Sequence, residues 1–242
     1  MALVNRVQAS YEQILEPRDG YDLTAPFYEQ RYWSEFWRLN EGPVVLQWLK
    51  SLKPGFGLDA GSGTGTYIQD IVELDHRVVA LDLSWKMLMI NREKTTYDRP
   101  DELVGYVQGK IDALPFKSNR FDWVLCSRVL NHIPQTNLAG LLREFARVLK
   151  RKGECLISDI HPHHPYRSVA IPVNGKKIAI ETYKHTLVSF RRAVATVEDF
   201  ELVTLDEYYL NDLEWKPPRT SFGKLYRGSN AAIFYVARLK KL

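Results

Sequence analysis

The stretch LDAGSGTGTY, Leu58 to Tyr67, decides the fold. The run FGLDA (56–60) enters it as a short apolar segment of the kind that forms a buried strand. Three glycines then alternate at 61, 63 and 65, and Ile68, Ile71 and Val72 follow at helical spacing. A strand that turns on glycines into a helix brings bare backbone and helix N–H groups close to a ligand. The same alternation continues downstream. RVVALDL (77–83) reads as a second strand, and SWKMLMINREKTTY (84–97) as a helix with Ser84 as its N-cap. ELVGYVQG (102–109) and FDWVLCS (121–127) are further strands. Leu138, Leu141, Leu142, Phe145, Val148 and Leu149 make one amphipathic stripe, and GECLISDI (153–160) is a fifth strand. Strands alternating with helices predict a doubly wound, mostly parallel α/β sheet whose ligands sit at the carboxyl ends of the strands.

Two regions flank that core within one expected unit spanning 1–242. Residues 1–52 carry helical patterns and many aromatics, and read as a helical cap or lid; residues 53–160 are the ligand-binding core. Residues 161–242 begin with a Pro/His loop. A hairpin turning at Asn174-Gly175 follows, then a helix from Thr186 to Val197 and two late strands, FELVTLDEYYL and NAAIFYVARL. The last strand is expected as an edge or antiparallel strand, making a seven-stranded sheet. The chain of 242 residues is 45% apolar and 26% charged, with a net charge of +4 and no dominant basic block, which argues against a nucleic-acid partner. No apolar run is long enough for a membrane span, and the first residues lack the apolar core of a signal peptide. Cys126 and Cys155 sit in apolar strand-like runs and read as reduced core thiols, so a cytoplasmic protein is expected.

The glycine pattern also restricts the ligand. A dinucleotide fingerprint would need a glycine at 66, where Thr66 stands. Asp59, two residues before Gly61, would repel a pyrophosphate but suits an ammonium group. Asp82 ends the second strand, where a carboxylate accepts hydrogen bonds from both ribose hydroxyls. These residues call for a nucleoside with a cationic amino-acid tail.

GLDAGSGTG resembles motif I of the class I S-adenosylmethionine-dependent methyltransferases. VVALDLSWKML and GKIDALPFKSNRFDWVLCSRVLNHI are similar to the segments that follow in its ubiquinone/menaquinone-methyltransferase-like (type 11) branch. The resemblance covers about residues 50–160. It implies a Rossmann-like fold, S-adenosyl-L-methionine as cofactor, and methyl transfer to an N, O or C centre of a small-molecule acceptor. It implies cofactor contacts from Asp59, Gly61, Ser62, Gly63, Gly65, Asp82, Leu83, Met87 and Ser127, with Asp112 near the adenine amino group and Ala113 and Leu114 beside the ring. Alignment of donor and acceptor is the main chemical need, and a neutral acceptor adds the need for a base. The candidates are His132, which matches a histidine common in the branch, and His161, first off the fifth strand. In DIHPHHPY, prolines 162 and 165 stiffen the loop and adjacent His163 and His164 point apart, so no metal site is expected. Tyr21, Tyr28, Arg31 and Tyr32 of the lid are candidates for the cofactor's carboxylate or the acceptor, whereas Trp33, Phe36 and Trp37 read as core of the cap. A nucleic-acid methyltransferase and a non-catalytic binding protein share the same core, but the Asn-Pro-Pro-aromatic run of the former is missing.

Overall fold

Runs of β-branched and aromatic residues become the strands, and the stripes at helical spacing cover them. The computed structural model describes residues 13–29, 32–94, 103–164, 169–173, 176–213 and 230–242. Its elements begin with strand β1 (Gln13–Leu15), helices α1 (Pro17–Thr24), α2 (Tyr32–Asn40) and α3 (Gly42–Ser51), strand β2 (Phe56–Ala60) and helix α4 (Ile68–Glu73). Strand β3 (Arg77–Asp82), helix α5 (Trp85–Lys94), strands β4 (Leu103–Gln108) and β5 (Phe121–Ser127) and helix α6 (Leu138–Val148) follow. The rest comprises strands β6 (Leu149–Ile160), β7 (Val169–Val173) and β8 (Lys176–Ile180), helix α7 (Leu187–Ala195), and strands β9 (Phe200–Tyr209) and β10 (Ala232–Lys241).

Seven strands form the main sheet in the order β4-β3-β2-β5-β6-β10-β9. β2, β3, β4, β5 and β6 run parallel, and β10 is antiparallel to both β6 and β9. The chain winds outward from β2 to β4, then crosses back to β5. The carboxyl ends of β2 and β5 are therefore the switch point at which an open α/β sheet leaves a crevice. Alternation along β5 shows why the strands read as continuous apolar runs. Val124 and Cys126 join the cluster with Leu141, Leu142 and Phe145 of α6, while Trp123 and Leu125 join the opposite cluster with Trp48 and Leu49 of α3 and Ile68 and Ile71 of α4. Both faces are covered, so neither needs polar residues.

β10 is antiparallel, as expected, and is enclosed: it lies between β6 and β9, and residues 232–237 are all buried, so β9 takes the edge. Three features depart from the sequence reading. The N-terminal region is not wholly helical, because β1 pairs in parallel with β8. The hairpin of β7 and β8, whose turn at 174–175 lies outside the described residues, does not extend the main sheet but forms a separate three-stranded sheet, β1-β8-β7. β6 also begins four residues early, because Leu149 already pairs with Phe121.

Candidate active site

The glycine loop lies at the switch point. Gly61, Gly63 and Gly65 adopt φ of 87°, 54° and 79°, a region L side chains rarely enter. A Cβ on Gly61 would fall 2.3 Å from Val129, and one on Gly65 2.2 Å from Asn91, so loop, β5 end and α5 are packed against bare backbone. The amides of Gly61 and Ser62 donate to Leu81 O at 2.7 and 2.9 Å, tying the loop to β3. Asp82 is clamped by backbone: Oδ2 accepts from Gly63 N and Oδ1 from Ser84 N, both at 2.8 Å. Burial raises its pKa to about 6, against those amides. Each oxygen keeps further acceptor capacity.

Gly61, Ser62, Gly63, Asp82, Leu83 and Met87 line one wall of a cleft of about 510 Å³, a size suited to a nucleoside-sized ligand. Asp112, Ser127 and His132 line it as well. Gly65, Ala113 and Leu114 do not line it. Leu114 is buried in the core with its amide on Glu144 at 2.8 Å, and Ile111 takes the apolar place beside Asp112. Asp59, two residues before the loop, does not line the cleft either and is 2% exposed. Its pKa rises to about 7, chiefly through burial and then through Asp82, with Arg128 opposing.

The lid residues close the other wall. Asp22 of α1 accepts from the Ser84 hydroxyl; beyond α1, Glu29 accepts from the Thr64 hydroxyl and pairs with Lys94 at 2.9 Å. Tyr21 and Tyr28 both face the cleft. Arg31 and the side chains of Tyr32 and Trp33 lie outside the described residues. Phe36 and Trp37 are core, as expected.

Tyr21 Oη lies 2.7 Å from His132 Nε2, and His132 Nδ1 lies 2.8 Å from the carbonyl of Glu181. A carbonyl only accepts, so Nδ1 carries the proton and Nε2 accepts from the Tyr21 hydroxyl. Glu181 is held there by its own amide on Leu15 O (2.8 Å) and by Tyr183 N on Asn131 O (2.7 Å), the service of the small sheet to the site. Burial lowers the His132 pKa to about 4, so the ring is neutral near pH 7. His161 is differently placed. Its Nε2 pairs with Glu207 at 2.9 Å, its Nδ1 accepts from His163 N at 3.1 Å, and it does not line the cleft.

Sequence reasoning missed Glu41. This residue at the start of α3 is fully buried. Its carboxylate accepts from the hydroxyls of Tyr67 (2.7 Å), Ser127 (3.0 Å) and Ser158, and pairs with Arg128 Nε at 3.0 Å. Nothing local distinguishes Glu41 from a solvated acid at a helix start; only the convergence of β5, β6 and α4 buries it.

Residues 58–157 match the family described as "Methyltransferase domain". This stretch is a methyltransferase domain. The curated relatives it resembles include ubiquinone/menaquinone-biosynthesis C-methyltransferases. The ubiquinone/menaquinone biosynthesis C-methyltransferase UbiE of Agrobacterium fabrum is 28% identical over 157 residues, covering 59% of this chain and 60% of its own length. The malonyl-[acyl-carrier protein] O-methyltransferase of Erwinia pyrifoliae is 38% identical over 115 residues, 46% of this chain and 41% of the relative. The chain thus spans about three fifths of the length of the first of these curated relatives. The structure of a putative S-adenosylmethionine-dependent methyltransferase from Listeria monocytogenes superposes with a TM-score of 0.60 at 18% identity, covering 82% of this chain and 99% of that one. The methyltransferase domain accounts for the core from β2 to β6; the lid, small sheet and last two strands lie outside the matched residues. Among the described residues, no helix is long and apolar enough to cross a membrane.

Proposed function

We propose that the whole chain acts as one unit that transfers a methyl group from S-adenosylmethionine to an N, O or C centre of a small-molecule acceptor. The observation that carries this reading is the Asp82 carboxylate, held by Gly63 N and Ser84 N in the wall of the cleft beside a glycine loop where a Cβ at Gly61 or Gly65 would clash. Asp82 receives the ribose hydroxyls, Leu83 and Met87 flank the nucleoside, and Asp112 with Ile111 receives the base. When bound, S-adenosylmethionine supplies an electrophilic methyl on a sulfonium sulfur. The chain's own residues then align the acceptor, exclude water and accept its proton. Tyr21 takes that proton on its oxygen while its own passes to His132 Nε2. The catalytic part falls to this pair rather than to His161, whose ring nitrogens are both engaged away from the cleft. A reducing, cytoplasmic compartment fits the two free buried thiols, Cys126 and Cys155.

Asp59 provides a pH signature of cofactor binding. With a pKa near 7 in the ligand-free site, it is largely protonated at pH 6. An ammonium beside it favours the charged form and lowers the pKa. Binding of S-adenosylhomocysteine is therefore expected to release a proton at pH 6 and almost none at pH 8. Affinity should rise with pH up to about 7 and then level off. Calorimetry in buffers of different ionisation enthalpy reads this directly; buffer-independent heats at pH 6 would remove the ammonium from Asp59.

Incubation with methyl-labelled S-adenosylmethionine and fractionated cell extract tests the activity. Label is expected in the small-molecule fraction. Label confined to tRNA, or a protein that binds the cofactor and transfers nothing, would overturn the acceptor class or the activity respectively.

A further inference from the structure

The sequence has no dominant basic block, yet the fold assembles one. Parallel strands all start at one end of the sheet, here the end opposite the cleft. Lys53 precedes β2, Arg77 opens β3, Lys117 and Arg120 precede β5, and Lys150, Arg151 and Lys152 lie at the start of β6. β10 runs the other way, so its last residues, Lys240 and Lys241, reach the same end. Contacts across the strands bear out this grouping. Lys241 Nζ donates to Leu149 O at 2.8 Å and to Asn119 Oδ1 at 2.9 Å, and Arg120 N donates to Val148 O at 2.7 Å. The guanidinium carbons of Arg77 and Arg120 lie 5.5 and 4.7 Å from the centre of the Phe56 ring. The strands β3, β2, β5, β6 and β10 are consecutive in the sheet, so the band is about 19 Å long at the usual strand spacing. All of these cations but Lys240 and Lys241 are exposed.

Acids within the band are already engaged. Asp122 pairs with Lys150 at 2.8 Å and accepts from Phe56 N at 2.9 Å, and Glu154 pairs with Arg238 at 3.1 Å. Exposed Asp75, before β3, bounds the band on one side, and exposed Glu198, Asp199 and Glu201, beside the start of β9, bound it on the other. Among the described residues, Lys117, Arg151 and Lys152 pair with no carboxylate. Cations this close together act jointly, within a screening length of about 8 Å at physiological salt. Phe56 offers no platform for a nucleobase: two guanidiniums lie over it, and its ring packs 5.1 Å from that of Phe121. A band of flexible cations without a stacking surface matches a broad sheet of phosphate headgroups better than a strand of bases.

We propose that this end of the sheet docks on a bilayer surface rich in anionic phospholipid, through Lys53, Arg77, Lys117, Arg120 and the cations at 150–152. The cleft lies at the other end of the strands, so docking locates the protein and leaves cofactor and acceptor to enter from water. Docking of this kind goes beyond methyl transfer and does not depend on it.

Sedimentation of the full chain with vesicles tests this, using phosphatidylcholine alone and phosphatidylcholine mixed with phosphatidylglycerol. The protein is expected to bind the mixed vesicles at about 0.1 M salt and to leave them at about 1 M, where the screening length falls to about 3 Å. It should not bind phosphatidylcholine alone. Lys117→Glu combined with Arg151→Glu should weaken binding about 30-fold or more, since each cation near such a surface is worth roughly fivefold. The control pair Lys86→Glu and Arg92→Glu on α5 changes the net charge equally outside the band, and should cost less than about fivefold. Both double variants should keep the wild-type affinity for S-adenosylhomocysteine and the wild-type thermal unfolding, which separates lost docking from lost folding. Absence of binding to the mixed vesicles at low salt, or equal losses in the two double variants, would overturn the proposal. An RNA hairpin that strips the protein from the vesicles would assign the band to nucleic acid and overturn it as well.

Discussion

Asp82→Ala is expected to weaken S-adenosylhomocysteine binding by about 2–4 kcal/mol, roughly 30- to 1,000-fold. Two charge-assisted hydrogen bonds to the ribose are lost. A second loss compounds the first: Oδ2 also anchors Gly63 N and Oδ1 anchors Ser84 N, so the loop and the start of α5 lose their common tie. Asp82→Asn should do little better. One of its two side-chain atoms becomes an NH₂ group facing a backbone N–H, a donor against a donor. The rest of the fold should survive, since the core clusters on both sheet faces are untouched. Calorimetry on both variants, with circular dichroism to confirm folding, reads the effect. A change below about threefold would mean that Asp82 serves the loop alone and holds no ribose.

The second large effect is expected at the Tyr21–His132 pair. Tyr21→Phe removes the hydroxyl, and His132→Ala removes its acceptor. Each should lower turnover about 10²-fold or more with cofactor affinity retained, when assayed on the acceptor revealed by label transfer. The two act as a unit, so the double variant should be little worse than the poorer single one. His132, with a pKa near 4 because it is buried, stays neutral from pH 6 to 9, so its own titration should put no limb in the rate profile over that range. Lowering the pH toward 4 protonates the ring, which then no longer accepts from Tyr21. It also destabilises the fold: unfolded histidine gains its proton near pH 6.5 and the folded ring only near 4. The stability lost between those pH values is about 3 kcal/mol. If Tyr21→Phe and His132→Ala both turn over near the wild-type rate, alignment alone carries the reaction.

The parts of this molecule that were legible in its sequence are those where one local pattern has one physical outcome. FGLDA, RVVALDL and FDWVLCS are strands because β-branched and aromatic residues covered on both faces leave no polar alternation to misread. The glycine loop was legible because its backbone demands left-handed φ where side chains would strike Val129 and Asn91. What escaped depends on contacts far apart in sequence. β1 is three residues long and exists only because β8 offers it an edge. β10 shows the alternation of a half-exposed strand, yet is enclosed between β6 and β9. Glu41 meets Tyr67, Ser127 and Ser158 from three other segments. The histidines divide for the same reason: each follows a strand, but the small sheet brings a carbonyl to His132 while Glu207 of β9 takes His161.

The most direct test of the central claim is a pair of titrations of the unmodified protein, one with S-adenosylhomocysteine and one with NAD. The glycine loop without a third dinucleotide glycine, the buried Asp59 before it and the clamped Asp82 predict micromolar binding of S-adenosylhomocysteine and none of NAD. Tight binding of NAD, with neither S-adenosylmethionine nor S-adenosylhomocysteine bound, would contradict it.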